Sequence, residues 1–260
     1  MGWALRRQII FLIIFLAIVL TISFLLIYPY FNKPPTCLDG KKNGDETGID
    51  CGGSCALACI AQVEDVSIMW SRAFEVVPGR YNAVAYLENH NENKAVYRVK
   101  YRFRFADKDN VYIGQREGET FIPPSREFAV FEPAIDVGNL VPVYTTFEFI
   151  ENPVWVQVPK EKVDQLKVFS SDIKLIDEDT SPKLSAVVKN YSLFRIPEVS
   201  FVVILYDEFG NAVSVSKTYL DMLKSEEVAG INFTWPKPFG KKIVAKEIIP
   251  MYDVFSVKLK

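Results

Sequence analysis

Histidine is almost missing from this chain: His90 is the only one in 260 residues. Histidine is the commonest general base and transition-metal ligand, so its scarcity closes most routes to acid–base catalysis or a histidine metal centre. Charge of one sign is lacking too. The 30 basic and 32 acidic side chains leave a net charge of −2, which provides no field to draw in nucleic acid. No GxxxxGK[ST], GxGxxG or HExxH is present, so the usual signatures of phosphate cradles, dinucleotide sites and zinc proteolysis are absent. Cysteine is missing from everything beyond residue 59, so whatever core the later residues build must hold by burial alone.

The remaining candidates for chemistry are thin. His90 lies in ENHNENK, a polar turn. Asp177, Glu178 and Asp179 crowd into IDEDTS before Pro182, a charged loop rather than two acids held across a cleft. The expectation is a non-enzyme with no small-molecule substrate, no nucleic-acid partner and no cofactor, calcium excepted.

The most conspicuous feature present is Ile9 to Ile27, IIFLIIFLAIVLTISFLLI, 19 residues without charge, Gly or Pro. As a helix it reaches about 28 Å, close to the hydrocarbon thickness of a bilayer. Its polar members, Thr21 and Ser23, can return hydrogen bonds to their own helix. Arg6 and Arg7 precede the run, and Trp3, Tyr28, Tyr30 and Phe31 lie near its ends. Basic residues hold their end in the cytoplasm and aromatic rings suit the interfaces. A cleaved signal peptide has a shorter apolar stretch and a small-residue cleavage site, whereas FLLIYPYFNKPP offers no such pattern. The expectation is a single-pass anchor: residues 1–8 cytoplasmic, 9–30 spanning the cell membrane, and everything after them extracytoplasmic.

Residues 31–60 follow as a neck that contains Cys37, Cys51, Cys55 and Cys59, spaced C-x13-C-x3-C-x3-C. Outside the cytoplasm clustered cysteines are disulfide-bonded by default, and four of them allow three pairings. Leu38, Ile49 and Leu57 are the only large aliphatic residues between the first and last cysteine, so two crosslinks at about 2–4 kcal/mol each would supply what a core cannot. Zinc prefers C-x2-C pairs and suits neither this spacing nor the compartment. Asp39, Asn43, Asp45, Glu46 and Asp50, among Gly40, Gly44 and Gly48, supply oxygen ligands for calcium. The spacing is not that of an EF-hand, and the same residues also fit a solvated turn. Both readings stand at this point.

The stretch CLDGKKNGDETGIDCGGSC resembles a motif, C-x-D-G-x-x-N-G-x-E-x-G-x-D-C-G-G-x-C, of secreted and surface proteins of bacteria. It is frequent in envelope proteins of the candidate phyla, just after a membrane helix or between extracellular domains. The resemblance implies an exported location and a stapled spacer.

The rest reads as one domain written twice. VKYRFRFADKDN from Val99 aligns with VSFVVILYDEFGN from Val199, setting Tyr101 against Phe201, Phe103 against Val203, Phe105 against Leu205 and Asp107 against Asp207. Alternating apolar residues mark half-buried strands, and the polar turns after them mark hairpins. YNAVAYLENHNEN pairs with KLSAVVKNYSLF, and REFAVFEP with EEVAGINFTWP. No convincing helical period interrupts them. The fold expected is mainly β, with two tandem immunoglobulin-like β-sandwiches of about seven strands each at 61–160 and 161–260. The second half, with ILYDEFGN and NFTWP, resembles bacterial extracellular sandwich families of the FxLYD and CARDB-like kind, which implies that fold and no activity.

Asp107 and Asp207 are read as turn formers. Phe121, Phe128, Phe131, Phe147 and Phe149, with Phe233, Trp235 and Phe239, are read mostly as core, with room left for an exposed aromatic strip that grips a glycan or a partner chain. Asn190 and Asn232 stand in N-x-S/T sequons, which matter in a host that glycosylates exported proteins. The function expected is an envelope protein that displays its two modules for adhesion or binding of a protein or glycan on the outer face. The alternative is a structural subunit of a secretion or pilus-like assembly.

Overall fold

A computed structural model describes residues 2–31 and 34–258. They fall into two compact units, Met1–Gly53 and Ser54–Lys260.

In the first unit, helix α1 spans Trp3–Phe31. It starts six residues ahead of the uncharged run and carries Arg6 and Arg7 on its N-terminal turns. With no Pro before Pro29, its backbone polar groups pair within the helix. Thr21 Oγ1 donates to the Ala17 carbonyl at 2.7 Å, which settles its polar group locally. The segment Leu5–Pro29 is long and apolar enough to cross a membrane, and none of it is buried in protein.

The second unit is built from antiparallel strands. The first seven are β1 (Ser67–Val77), β2 (Arg80–Asn89), β3 (Lys94–Ala106), β4 (Tyr112–Ile122), β5 (Arg126–Asp136), β6 (Tyr144–Phe149) and β7 (Trp155–Gln157). Helix α2 (Lys160–Gln165) then leads to β8 (Val168–Ile176), β9 (Lys183–Asn190), β10 (Ile196–Tyr206), β11 (Ala212–Leu223), β12 (Val228–Thr234) and β13 (Ala245–Met251). One sandwich faces the sheet β1-β2-β5 against β4-β3-β6, with β7 beside the start of β3; the other faces β8-β9-β12 against β11-β10-β13. Strand by strand the two have the same order, and Val99 and Val199 fall on the equivalent strands β3 and β10.

Phe103, Phe105, Phe128 and Phe147 fill the first core; Leu184, Phe201, Leu205 and Phe233 fill the second. The sandwiches also share packing. Phe201, Val203 and Leu205 of β10 face their own core, while Val202 and Ile204 join the apolar cluster of the first sandwich, together with Ile249 and Met251 of β13. Sheet β11-β10-β13 therefore lies against β1-β2-β5. A strand between two apolar layers buries both faces, so β10 is buried without a break from Phe201 to Leu205 rather than alternating as its sequence was read. Helix α2 is a second departure: KEKVDQ has too few turns to show an amphipathic period.

Candidate functional site

Three places hold the candidate side chains: the cysteine-rich loop, the turns and outer surface of the sandwiches, and the junction between the sandwiches.

All four cysteines, Cys37, Cys51, Cys55 and Cys59, are disulfide-bonded. Around them the acidic residues act on their own backbone. Asp50 Oδ1 accepts the Asp39 and Gly40 amides at 3.0 and 3.1 Å, and its Oδ2 accepts Gly40 again at 3.0 Å. Glu46 Oε2 accepts the amides of Asn43 and Asp50, each at 3.3 Å. Asp39 takes the Lys41 amide at 3.0 Å and the Asn43 side-chain amide at 2.9 Å, and the latter is the main reason its carboxyl lies below the usual carboxylate range. Asn43 Oδ1 is closed to solvent without an acceptor role. Asp45 is exposed, and its carbonyl sits against Gly53, where a Cβ would collide with it; Gly53 also holds φ at +57°. The candidate calcium ligands Asp39, Asn43, Glu46 and Asp50 are thus brought together in one loop. Its carboxylate oxygens are spent on N–H donors that would have to yield to an ion.

The paired aspartates behave as turn formers. Asp107 Oδ1 accepts the amides of Asp109 and Val111, and Asp207 Oδ1 those of Phe209 and Asn211. Asp207 also meets Lys241 Nζ at 3.1 Å; the Asn211 amide first, and Lys241 after it, hold its carboxyl below the usual range. His90 bonds Ser67 Oγ at 3.0 Å at the surface. The sequons differ. Asn190 is wholly buried with its amide bonded to the backbone, so no glycosyl transferase can reach it, whereas Asn232 is exposed on β12. The aromatics singled out in the sequence are all buried or half-buried. The exposed rings lie elsewhere, at Phe169, Tyr191, Phe209 and Tyr219 in the second sandwich and Tyr97, Tyr112 and Tyr144 in the first. Phe169 and Tyr191 meet edge to face, Tyr112 and Tyr144 adjoin exposed Val111 and Val143, and no periodic signal in the sequence marks any of them.

At the junction, Glu247 of β13 accepts two phenols. Tyr86 of β2 donates to its Oε1 at 2.9 Å, and Tyr206 of β10 to its Oε2 at 2.7 Å. Burial first, and the carboxylate second, push both phenols above their ordinary pKa. Near one end of the junction, α2 borders a cleft of about 550 Å³. Arg126, at the start of β5, stacks on the Tyr252 ring at 4.4 Å and donates from Nη1 to the Tyr252 hydroxyl at 3.1 Å. That hydroxyl in turn donates to the Leu166 carbonyl at 2.9 Å.

No family model matches this chain, and no curated protein does. Among solved structures, red sea bream transglutaminase is similar over 73% of this chain and 28% of its own, at 8% identity and a TM-score of 0.22. A β-glucuronidase of glycoside hydrolase family 2 is similar over 85% and 29%, at 9% identity and a TM-score of 0.22. A Bacteroides uniformis β-glucuronidase is similar over 68% and 26%, at 12% identity and a TM-score of 0.20. The chain spans less than a third of the length of each, and at these scores the likeness carries no argument about fold or activity.

Proposed function

We propose that this chain is a non-enzymatic envelope protein, held in the cell membrane by one span and displaying two immunoglobulin-like modules outward for adhesion or binding of a surface partner. The observation that carries the reading is an unburied apolar helix followed by a segment whose four cysteines are all oxidised. Cytosolic thiols are kept reduced, so the combination favours export, and Arg6 and Arg7 favour an N-terminus inside. The strand order supports the immunoglobulin-like assignment: in each sandwich the first, second and fifth strands share one sheet and the third and sixth the other. The fourth strand pairs with the third rather than the fifth, a variation such sandwiches tolerate. The resemblance of the cysteine motif to bacterial surface proteins points the same way.

A second reading, a structural subunit of a larger envelope assembly, is favoured by the tip of the first sandwich. Val111, Tyr112, Leu140, Val141, Val143 and Tyr144 are exposed there on neighbouring loops, joined where the Val143 amide bonds the Ala106 carbonyl. Clustered apolar side chains of this kind mark protein contacts.

The test is topology in intact producing cells. External protease should cleave the sandwiches and spare an N-terminal tag, and the full chain should stay with the membrane with its cysteines unreactive to maleimide. A soluble chain with reactive thiols would overturn the proposal. Cross-linking with mass spectrometry then separates the two readings: one fixed set of membrane-protein partners indicates an assembly.

A further inference from the structure

The cleft beside α2 holds a guanidinium that the fold leaves uncompensated. Arg126 spends one N–H on the Tyr252 hydroxyl, its Nε is closed to solvent with no acceptor, and among the described residues it forms no ion pair. Lys160 and Lys167 line the same cleft, also without ion pairs among the described residues. Glu92 and Asp164 line it too, so three cations stand against two carboxylates. A charge drawn partly out of water without a counter-ion is costly, and a partner that supplies one recovers that cost. Stacking on Tyr252 fixes the plane of the guanidinium, which prepares its planar edge for an equally planar carboxylate.

A second groove of about 370 Å³ continues from the cleft, sharing Arg126, Leu166, Lys167 and Tyr252 and adding Phe169. Glu127 and Glu247 also line it, so cleft and groove together carry four carboxylates against three cations; the excess of positive charge is confined to the cleft, and Glu247 is already held by Tyr86 and Tyr206. Phe169 is 59% exposed, and its ring meets that of Tyr191, 56% exposed, edge to face at 5.6 Å. The Tyr191 amide is tied to the Lys167 carbonyl, which holds this aromatic pair beside the cationic residues. An exposed ring offers a flat apolar platform, and the C–H face of a pyranose is the hydrophilic ligand that matches one. The cleft is within the usual size range of small-ligand sites, roughly 300–1,000 Å³.

We infer that the cleft and its groove bind a carboxylate-bearing saccharide of one or two rings. Arg126 and Lys167 take the carboxylate, and Phe169, braced by Tyr191, takes a ring face. The inference rests on the outward-facing binding role proposed above and names the ligand class for it.

The test is calorimetric titration of the full chain in lipid nanodiscs with digalacturonate, neutral digalactose and N-acetyl-dialanine. Digalacturonate should bind with a dissociation constant on the order of 0.1–1 mM. Digalactose should bind about tenfold more weakly, as should digalacturonate to Arg126→Gln, the loss of one charge-assisted pair. Phe169→Ala should weaken binding severalfold, and Tyr219→Ala, at an exposed site on β11, should leave it unchanged. Should Arg126→Gln fail to fold, the exposed Lys167→Gln carries the same prediction with a smaller loss. Equal binding of digalactose, unchanged binding by both charge variants, or no heat with digalacturonate overturns the inference. So does N-acetyl-dialanine binding as tightly, which would indicate a site for peptide chain ends. Each of these leaves the display reading standing if the sandwiches remain outside the cell, whereas failed topology sinks that reading whatever the titration gives.

Discussion

Asn89 and Asn190 perform the same task, one in each sandwich. Each is buried at the end of the second strand, and each side-chain amide binds the backbone where the third strand begins and where the fourth strand ends. Asn89 Nδ2 reaches the Lys94 and Pro123 carbonyls at 3.0 and 2.7 Å; Asn190 Nδ2 reaches Phe194 and Lys224 at 2.7 and 2.9 Å. Their Oδ1 atoms accept the amides of Asn91 and Ser192 at 3.0 and 2.9 Å.

Removing either amide takes the donor from two backbone carbonyls, of which that of Pro123 lies in a buried bond and the others in part-buried ones. Asn89→Ala or Asn190→Ala is expected to lower stability by about 2–4 kcal/mol, the summed cost of the unmet groups. Urea unfolding of the full chain in detergent, followed by tryptophan fluorescence, measures it. A loss below about 0.5 kcal/mol would show that water replaces the amide.

These positions also show how far sequence reading goes. A strand ending in Asn before a polar turn occurs in both halves, and it made the repeat legible without revealing that the residue is buried. The turns at Asp107 and Asp207 were legible, because an Asx turn is a local interaction within four residues, whereas the Asp207–Lys241 ion pair, 34 residues apart, was not. The run Phe201–Leu205 carries a further signal beside its alternation: an unbroken apolar stretch marks a strand covered on both faces. The meeting of Tyr86 with Glu247 was out of reach, since it depends on how one sandwich lies on the other. Arg126 and Tyr252, far apart in sequence, are equally silent until that junction is formed.

The phenols at the junction predict a pH dependence. Tyr86 and Tyr206 have pKa values raised above 10.0 in the folded chain, chiefly by burial. A raised pKa means that the folded state holds the proton more tightly. Their contribution is therefore whole below the ordinary value and is lost as pH climbs through the folded ones. The melting temperature should fall as the pH rises above about 10, where a free tyrosine ionises and the folded phenols do not. The fall should be shallower in the Tyr86→Phe, Tyr206→Phe double variant. Parallel curves would mean that other groups govern the loss.

In the cysteine-rich loop, the occupied carboxylates predict indifference to calcium. Asp39, Glu46 and Asp50 hold the loop by accepting its own amides, so chelation should leave the melting of the full chain where it was. Asp50→Asn should instead loosen the loop, since an amide cannot accept from Gly40 through both side-chain atoms as the carboxylate does. Limited proteolysis between residues 37 and 55 reads both: faster cleavage in the variant, no change with chelator. A rise in melting temperature with added calcium would return the ion to this loop.

Gly118 gives the sharpest steric test. It pairs with Tyr101 across β3 and β4, and a Cβ there would collide with the Tyr101 hydroxyl and come within 2.6 Å of Glu132 Oε1. Those two atoms form a buried hydrogen bond of 2.6 Å, while Arg116 Nε meets Glu132 Oε2 at 3.0 Å. Tyr101 has little room to retreat, because its ring packs on Phe103 and Phe147 with centroids 5.8 and 5.6 Å away. Gly118→Ala must displace the hydroxyl and strip Glu132 of a donor, at a cost of about 2–4 kcal/mol from overpacking and an unmet carboxylate. Gly114, on the same strand, has open space where its Cβ would go, so Gly114→Ala should be neutral or slightly stabilising. Denaturation of the two variants side by side isolates the steric cause. Equal losses would mean that β4 resists any side chain at a glycine, and that the Tyr101–Glu132 bond is not what Gly118 protects.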